Sequence, residues 1–273
     1  MRNLLPLLVL GAVLGAQTPP SAKPRLEAQV LSVGEAIVED PDVVRIIAPL
    51  SAELKASFGE VIAEAPQGLF RGRGGEENFL GYWVADLMRS RAAQVTGRRI
   101  HFAITNSGGL RANLRPGPVK VGDLYEVMPF ENELVVADYT RAEILDIVRN
   151  GVQRRLGEPC SGIKAVLSGT VEAPVLAITW SDGSPIDPEA LYAVATTDYL
   201  LASGDSISSL RKGRNAFTTG LPLRQLLLDA AAQAGRLKRP LLPPAGDRFV
   251  FPPDLLQALK ERRLNLIPKR EDS

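Results

Sequence analysis

The chain has 273 residues, 45% of them hydrophobic and 23% charged, and a net charge of +1. Length and composition suit one large or two small globular domains with a sizeable core. The near-zero charge excludes a whole-chain field for nucleic acid or an acidic membrane surface.

The amino end has the pattern of an export signal over residues 1–16. Arg2 gives a positive start, residues 4–13 a short apolar run, and Gly15-Ala16 small residues for cleavage. The run is shorter than the roughly 20 residues that cross a bilayer, and no later segment is long enough either. No stable membrane insertion is expected, and the protein is expected to be exported, periplasmic or secreted. "QTPPSAKP" opens a flexible start over residues 17–40, and one domain is expected over residues 41–273. Cys160 is the only cysteine, so no internal disulfide can form; its neighbours "EPCSG" read as a turn.

From residue 41, Val44, Ile47, Leu50 and Leu54 recur at helical spacing, and Gly59 follows as a stop. "GLFRGRGGEEN" is a loop, and Leu80, Trp83, Val84 and Leu87 predict a second helix. "RIHFAIT" alternates as a strand ending at Gly108-Gly109. "ELVVADY" is another strand. Thr140 and Glu143 then form a capping box that opens a helix burying Ile144, Ile147, Val148 and Val152. "KAVLSG", "VLAITW" and "LYAVATT" predict three strands, with "SDGSP" a turn between the last two. "LPLRQLLLDAAAQAG" is a helix with Pro222 near its first turn and Gly235 just past its end. "PPDLLQALKERRLNLI" reads as a final amphipathic helix. Strands and helices mix without strict alternation, which predicts an α+β fold of mixed sheets layered with helices.

"TNSGGLRANLRPGP" carries the most chemistry. A strand ending in Gly108-Gly109 exposes main-chain amides and allows close approach. Arg111 offers a planar fork of donors to a phosphate or hydroxyl. The same residues have plainer readings. The glycines suit a turn, Asn106 can bond its own turn, Phe130 can be core, Tyr199 can sit on the surface, and Asp205 can cap or turn.

Taken in order, the segments resemble one family. Asn106–Arg111 is similar to the N-x-G-G-[IL]-R signature of the carboxy-terminal domain of 5'-nucleotidases. "VKVGDLYEVMPFENELVV", "YAVATTDYLLASGDS" and, upstream, "EENFLGYWVADLMR" resemble further segments of that domain, together covering roughly residues 41–210. The resemblance implies a nucleoside or nucleotide ligand, its base held between the rings of Phe130 and Tyr199. It implies that Asn106, Gly108, Gly109, Arg111 and Asp205 hold base and ribose. Some positions depart from the family pattern. Glu76 stands where an arginine is common, with Arg71 or Arg73 as substitutes from the loop; Tyr82 replaces an asparagine; "SGDS" replaces a glycine-rich turn.

The family's two-metal chemistry resides in a separate metallophosphatase domain, and the single histidine, His101, cannot supply its ligands. No catalytic residue and no cofactor are therefore expected in this chain. Divalent metals would enter only with a separate metallophosphatase chain as partner. "GDSI" from Gly204 resembles a serine-esterase block, but no histidine follows it to serve as base.

Overall fold

The computed structural model describes residues 30–32, 34, 37–72, 74–205 and 207–267. The expected signal (1–16), most of the expected flexible start, Arg73 and Ser206 of "GDSI" lie outside the described residues. Two compact units, Met1–Ile47 and Ala48–Ser273, make up the chain.

In the first unit, Asp40 Oδ1 accepts from the amides of Asp42 (2.9 Å) and Val43 (3.3 Å), opening helix α1 (Pro41–Gly59). The expected apolar spacing is present, but Ile47 is exposed. In the second unit, Leu50 and Leu54 of the same helix are also exposed.

The rest of the second unit runs β1 (Val61–Ala65), α2 (Phe79–Thr96), β2 (Phe102–Ile104), β3 (Gly117–Lys120), α3 (Val121–Val127), β4 (Glu133–Thr140) and α4 (Arg141–Arg155). There follow β5 (Cys160–Ser161), β6 (Ile163–Gly169), β7 (Pro174–Trp180), β8 (Leu191–Thr197), α5 (Asp198–Ser203), β9 (Arg214–Pro222), α6 (Leu223–Arg236), β10 (Phe249–Val250) and α7 (Pro253–Lys260). A five-stranded mixed sheet, ordered β5-β2-β8-β4-β9, forms the centre. A three-stranded sheet, β10-β6-β7, and the pair β1-β3 accompany it. The α+β expectation holds.

Alternation along the central strands sends successive side chains to opposite faces. Phe102, Ile104, Ala137, Tyr139, Tyr192 and Val194 join one core with α4, β6, β7 and α7. Ala103, Leu134, Val136, Ala193 and Ala195 join the other with α2, α3 and α6. The capping box is formed as predicted: Thr140 Oγ1 accepts from the Glu143 amide, and the Thr140 amide donates to Glu143 Oε2 at 2.9 Å. Ile144, Ile147, Val148 and Val152 are all buried.

Three expectations need correction. Gly235 lies inside α6 rather than past it, because the helix crosses β1 so closely that a Cβ there would sit 2.0 Å from the Ile62 carbonyl oxygen. Cys160 is no turn residue: it is 1% exposed in β5, paired opposite Ile104, and burial pushes its thiol up to about 12. The last helix stops at Lys260. Arg262 takes a left-handed φ of 58°, and the chain beyond it is irregular, burying Leu264 and Leu266. Strands β1, β3 and β9 were not anticipated; β9 is an edge strand whose first five residues are exposed.

Candidate functional site

Register gathers the site. Strands β2 and β8 run parallel, with Phe102 opposite Val194 and Ala103 opposite Ala195, so both chains leave the sheet at the same end. Strand β4 is antiparallel to β8, with Leu134 opposite Thr197, and therefore enters at that end. Strand β5 is antiparallel to β2 and enters there too. Residues just after β2, before β4, before β5 and after β8 thus converge beyond the carboxyl ends of two parallel strands. That is the end of an open sheet where ligands collect in α/β proteins.

After β2 the amide of Thr105 donates to the Pro159 carbonyl at 3.0 Å, and the chain then turns through a single 3-10 turn, Ser107–Gly109. Asn106, 7% exposed, directs its Nδ2 to Asp205 Oδ2 at 2.7 Å across 99 residues of sequence. Asp205 reaches that position because α5 ends at Gly204 in the left-handed region, φ 74°, and Asp205 follows at φ 32°. Both conformations reverse the chain toward the turn after β2. The Gly109 amide closes the turn on the Asn106 carbonyl at 3.0 Å.

Beneath the turn lies a carboxylate that sequence reasoning missed. Glu158, 7% exposed, accepts through Oε2 from both the amide (2.7 Å) and the hydroxyl of Ser107. Burial raises its pKa, with a further push from Asp205; the Ser107 hydrogen bonds and the Arg155 guanidinium pull the other way. Its sequence context, an acid before a proline beside a lone cysteine, carries no signal for this role. Only the β2–β5 pairing brings it under Ser107.

An open cleft of about 420 Å³ adjoins the turn, lined by Arg71, Gly72, Gly74, Ser107, Gly108, Arg111 and Arg155. Arg71 is held by its amide on Asn113 Oδ1 at 2.9 Å and by Nη1 donating to the Leu110 carbonyl. Arg111 Nη1 donates to the Gly108 carbonyl at 3.2 Å. Of the two loop arginines offered as substitutes, Arg71 is therefore placed beside Arg111. Arg155, the last residue of α4, was not anticipated.

Both predicted rings are at this end of the sheet and face outward: Phe130 is 42% exposed and Tyr199 45%. Neither is core. Tyr199 sits in the first turn of α5, whose backbone is pinned. Thr197 Oγ1 caps it by accepting from Leu200, and Asp198 Oδ1 accepts from the amides of Tyr199 (2.7 Å) and Glu133 (3.0 Å). The Glu133 contact ties the segment carrying Phe130 to the one carrying Tyr199. Exposed aromatic faces on a fixed backbone offer stacking surface at low entropic cost.

His101 precedes β2, at the other end of that strand from Asn106, with its ring 5.4 Å from Trp180 and 5.0 Å from Tyr192. Burial, aided by Arg99 and Arg98, lowers its pKa. Among the described residues no group of three or more His, Cys, Asp or Glu is placed to hold a metal ion, and no helix is long and apolar enough to cross a membrane.

Residues 61–212 match the family model described as 5'-nucleotidase, C-terminal domain. The chain is 30% identical over 201 residues to a trifunctional nucleotide phosphoesterase of Bacillus subtilis, covering 66% of this chain and 13% of that protein. It is 30% identical over 152 residues to a cell wall protein of Listeria monocytogenes, covering 50% of this chain and 19% of the relative. Among solved structures, the 5'-nucleotidase precursor of Thermus thermophilus superposes with a TM-score of 0.63 at 27% identity, covering 79% of this chain and 44% of that one. The chain thus spans less than half the length of each.

Proposed function

The chain belongs to the 5'-nucleotidase C-terminal domain family, and we propose that it is an exported nucleotide- or nucleoside-binding domain that holds its ligand without hydrolysing it alone. The observation that carries this reading is the Asn106–Asp205 hydrogen bond. It joins two segments that the resemblance assigns to one ligand, and the residues that follow Asn106, Ser107 and Gly108, line an arginine-bearing cleft. In this reading a base stacks on the outward rings of Phe130 and Tyr199, and the Asp205 carboxylate, with a lone pair to spare, accepts from ribose hydroxyls. The phosphate end lies toward Arg71 and Arg111, where guanidinium donors meet it in forked geometry. Export is supported by the amino-terminal pattern and by the name of the Listeria relative, a cell wall protein. Calorimetry with adenosine, AMP and an unrelated sugar tests the binding. Adenosine and AMP should give saturable heat that Asn106→Ala abolishes, and absence of heat from both at millimolar ligand overturns the reading.

A second reading makes this domain the substrate clamp of a two-chain enzyme, with a separate metallophosphatase supplying the metals. The position of His101, at the far end of β2 from the cleft, favours metal ligands from another source. Mixing with a candidate metallophosphatase and a divalent cation should raise AMP hydrolysis above that of the partner alone; an unchanged rate rejects it.

A further inference from the structure

The segment that carries Phe130 has little main-chain support. Residues 128–132 connect α3 to β4, and Phe130 sits at a bend in them. Pro129 has no amide hydrogen to give, and among the described residues no main-chain hydrogen bond reaches Phe130 or Glu131. Two consecutive residues that open α6 clasp the segment instead. The Leu223 amide donates to the Asn132 carbonyl at 2.8 Å. Arg224 Nη1 donates to the Met128 carbonyl at 3.3 Å, and its Nη2 pairs with Glu131 Oε1. These contacts fall on both sides of Phe130. The Arg224 guanidinium also lies over the Tyr125 ring, 4.4 Å from its centroid, and Tyr125 packs on Phe58 with ring centres 4.6 Å apart.

Helix electrostatics argue against an arginine at this place. The amino end of a helix is its positive pole, which favours acids in the first turn. The first turn of α6 has no acid and has Arg224 as its second residue. Nor does the ion pair account for it. The Arg224 side chain is 12% exposed but that of Glu131 is 75% exposed, and a pair with so open a partner adds little stability. The arrangement is poor as a stability device and well formed as a clasp, a planar fork of donors reaching two points of one loop. At the far end of the loop, Asp198 Oδ1 accepts from the amides of Glu133 and Tyr199. Both rings thus belong to one frame, Tyr199 through Asp198 and Phe130 through Arg224.

We propose that Arg224 is a positioning residue for the Phe130 ring. By gripping the loop on either side of that ring it sets how the ring stands toward Tyr199, and so governs affinity for a flat base without touching the ligand. This rests on the nucleotide reading above and adds to it a residue that lies beyond the 61–212 family match. Calorimetry with adenosine on the wild-type chain, Arg224→Met, Phe130→Ala and the double variant tests it. Methionine keeps the packing on Tyr125 and removes every donor. Arg224→Met should weaken adenosine binding about tenfold, within the cost of a lost base stack. In the Phe130→Ala background the same change should cost less than about twofold, because the ring through which it acts is gone. Glu131→Ala, an exposed change that leaves the fold intact, should weaken binding in the same ring-dependent way by a smaller factor. An arginine with a merely structural role would lower Tm and weaken binding by equal factors with and without the Phe130 ring. Equal factors in the two backgrounds, or wild-type affinity in both Arg224→Met and Glu131→Ala, overturns the proposal while the nucleotide reading stands. Where Arg224→Met fails to fold, the cycle of Glu131→Ala with Phe130→Ala decides on the same terms. A wild type that gives no saturable heat with adenosine overturns the nucleotide reading and this proposal with it.

Discussion

Glu158 receives two hydrogen bonds on one oxygen from Ser107, one from the amide at 2.7 Å and one from the hydroxyl, and so fixes the turn that carries Asn106. The contact is buried, and burial raises the Glu158 pKa above its ordinary 4.5. The folded state therefore holds this proton more tightly than the unfolded chain does. As pH rises through the window between 4.5 and the raised value, the unfolded state loses its proton first and stability falls. Glu158→Gln keeps an acceptor oxygen and removes the titration. Thermal unfolding followed from about pH 4 to about pH 7 should show a falling contribution in the wild type that the variant lacks. Parallel profiles would mean that Glu158 titrates normally.

The two outward rings separate binding from stability. Phe130→Ala and Tyr199→Ala should each weaken adenosine binding by ~1–3 kcal/mol, the usual worth of one base–aromatic stack. Because both residues are already more than two-fifths exposed, their removal should lower Tm far less than loss of a core ring would. A large fall in Tm without a change in affinity would return them to a packing role.

Asn106 and Asp205 are far apart in sequence and in contact in space, so a double-mutant cycle reads their bond directly. Asn106→Ala and Asp205→Ala, singly and together, should show a coupling of about 1–2 kcal/mol in denaturant unfolding, since one partner is charged and the other buried. Additive effects would show the pair to be incidental to the fold.

Glu143 serves two structures at once. It closes the capping box of α4 and takes a forked pair from Arg214, Nη1 to Oε2 at 2.7 Å and Nη2 to Oε1 at 2.8 Å, which pins β9 to the helix start. The Arg214 hydrogen bonds, against the cost of burial, hold its carboxyl at about 2. A lowered carboxylate pKa stabilises the fold above the ordinary 4.5, and that contribution is lost as pH falls from 4.5 to about 2. Glu143→Gln should flatten acid unfolding across that window; an unaltered acid transition would place the pair's strength in solvent screening.

Local chemistry was readable in the sequence wherever one segment decides its own structure. The Thr140–Glu143 box, the buried face of α4 and the strands β6 to β8 follow from spacing alone. Misses occur where a second segment intervenes. Nothing near Gly235 announces the Ile62 carbonyl against which α6 packs. Nothing in "EPCSG" announces that Cys160 will pair with Ile104 and place Glu158 under Ser107. The residues of the site came from the family resemblance. Their convergence came from parallel pairing of β2 with β8, and the presence of Arg155 beside them from antiparallel pairing of β2 with β5, non-local relations that no periodicity encodes.

The two glycines of the turn have different work to do, and substitution should tell them apart. Neither has the left-handed φ that would require glycine. A Cβ on Gly108 would meet only Asn106 Nδ2, at 3.7 Å, an ordinary contact. A Cβ on Gly109 would sit 2.9 Å from Asn106 Oδ1, closer than side chains tolerate. Asn106 is short and buried, so it can yield only by rotating, and rotation breaks its bond to Asp205. Gly108→Ala should therefore stay within about 0.5 kcal/mol of wild-type stability, as an unstrained surface change does. Gly109→Ala should cost about 1–3 kcal/mol, the range for overpacking a buried position, and should weaken adenosine binding along with it. Chemical unfolding and calorimetry on the two variants check both statements. If Gly109→Ala binds as the wild type does, the Asn106–Asp205 contact is not what shapes the ligand site.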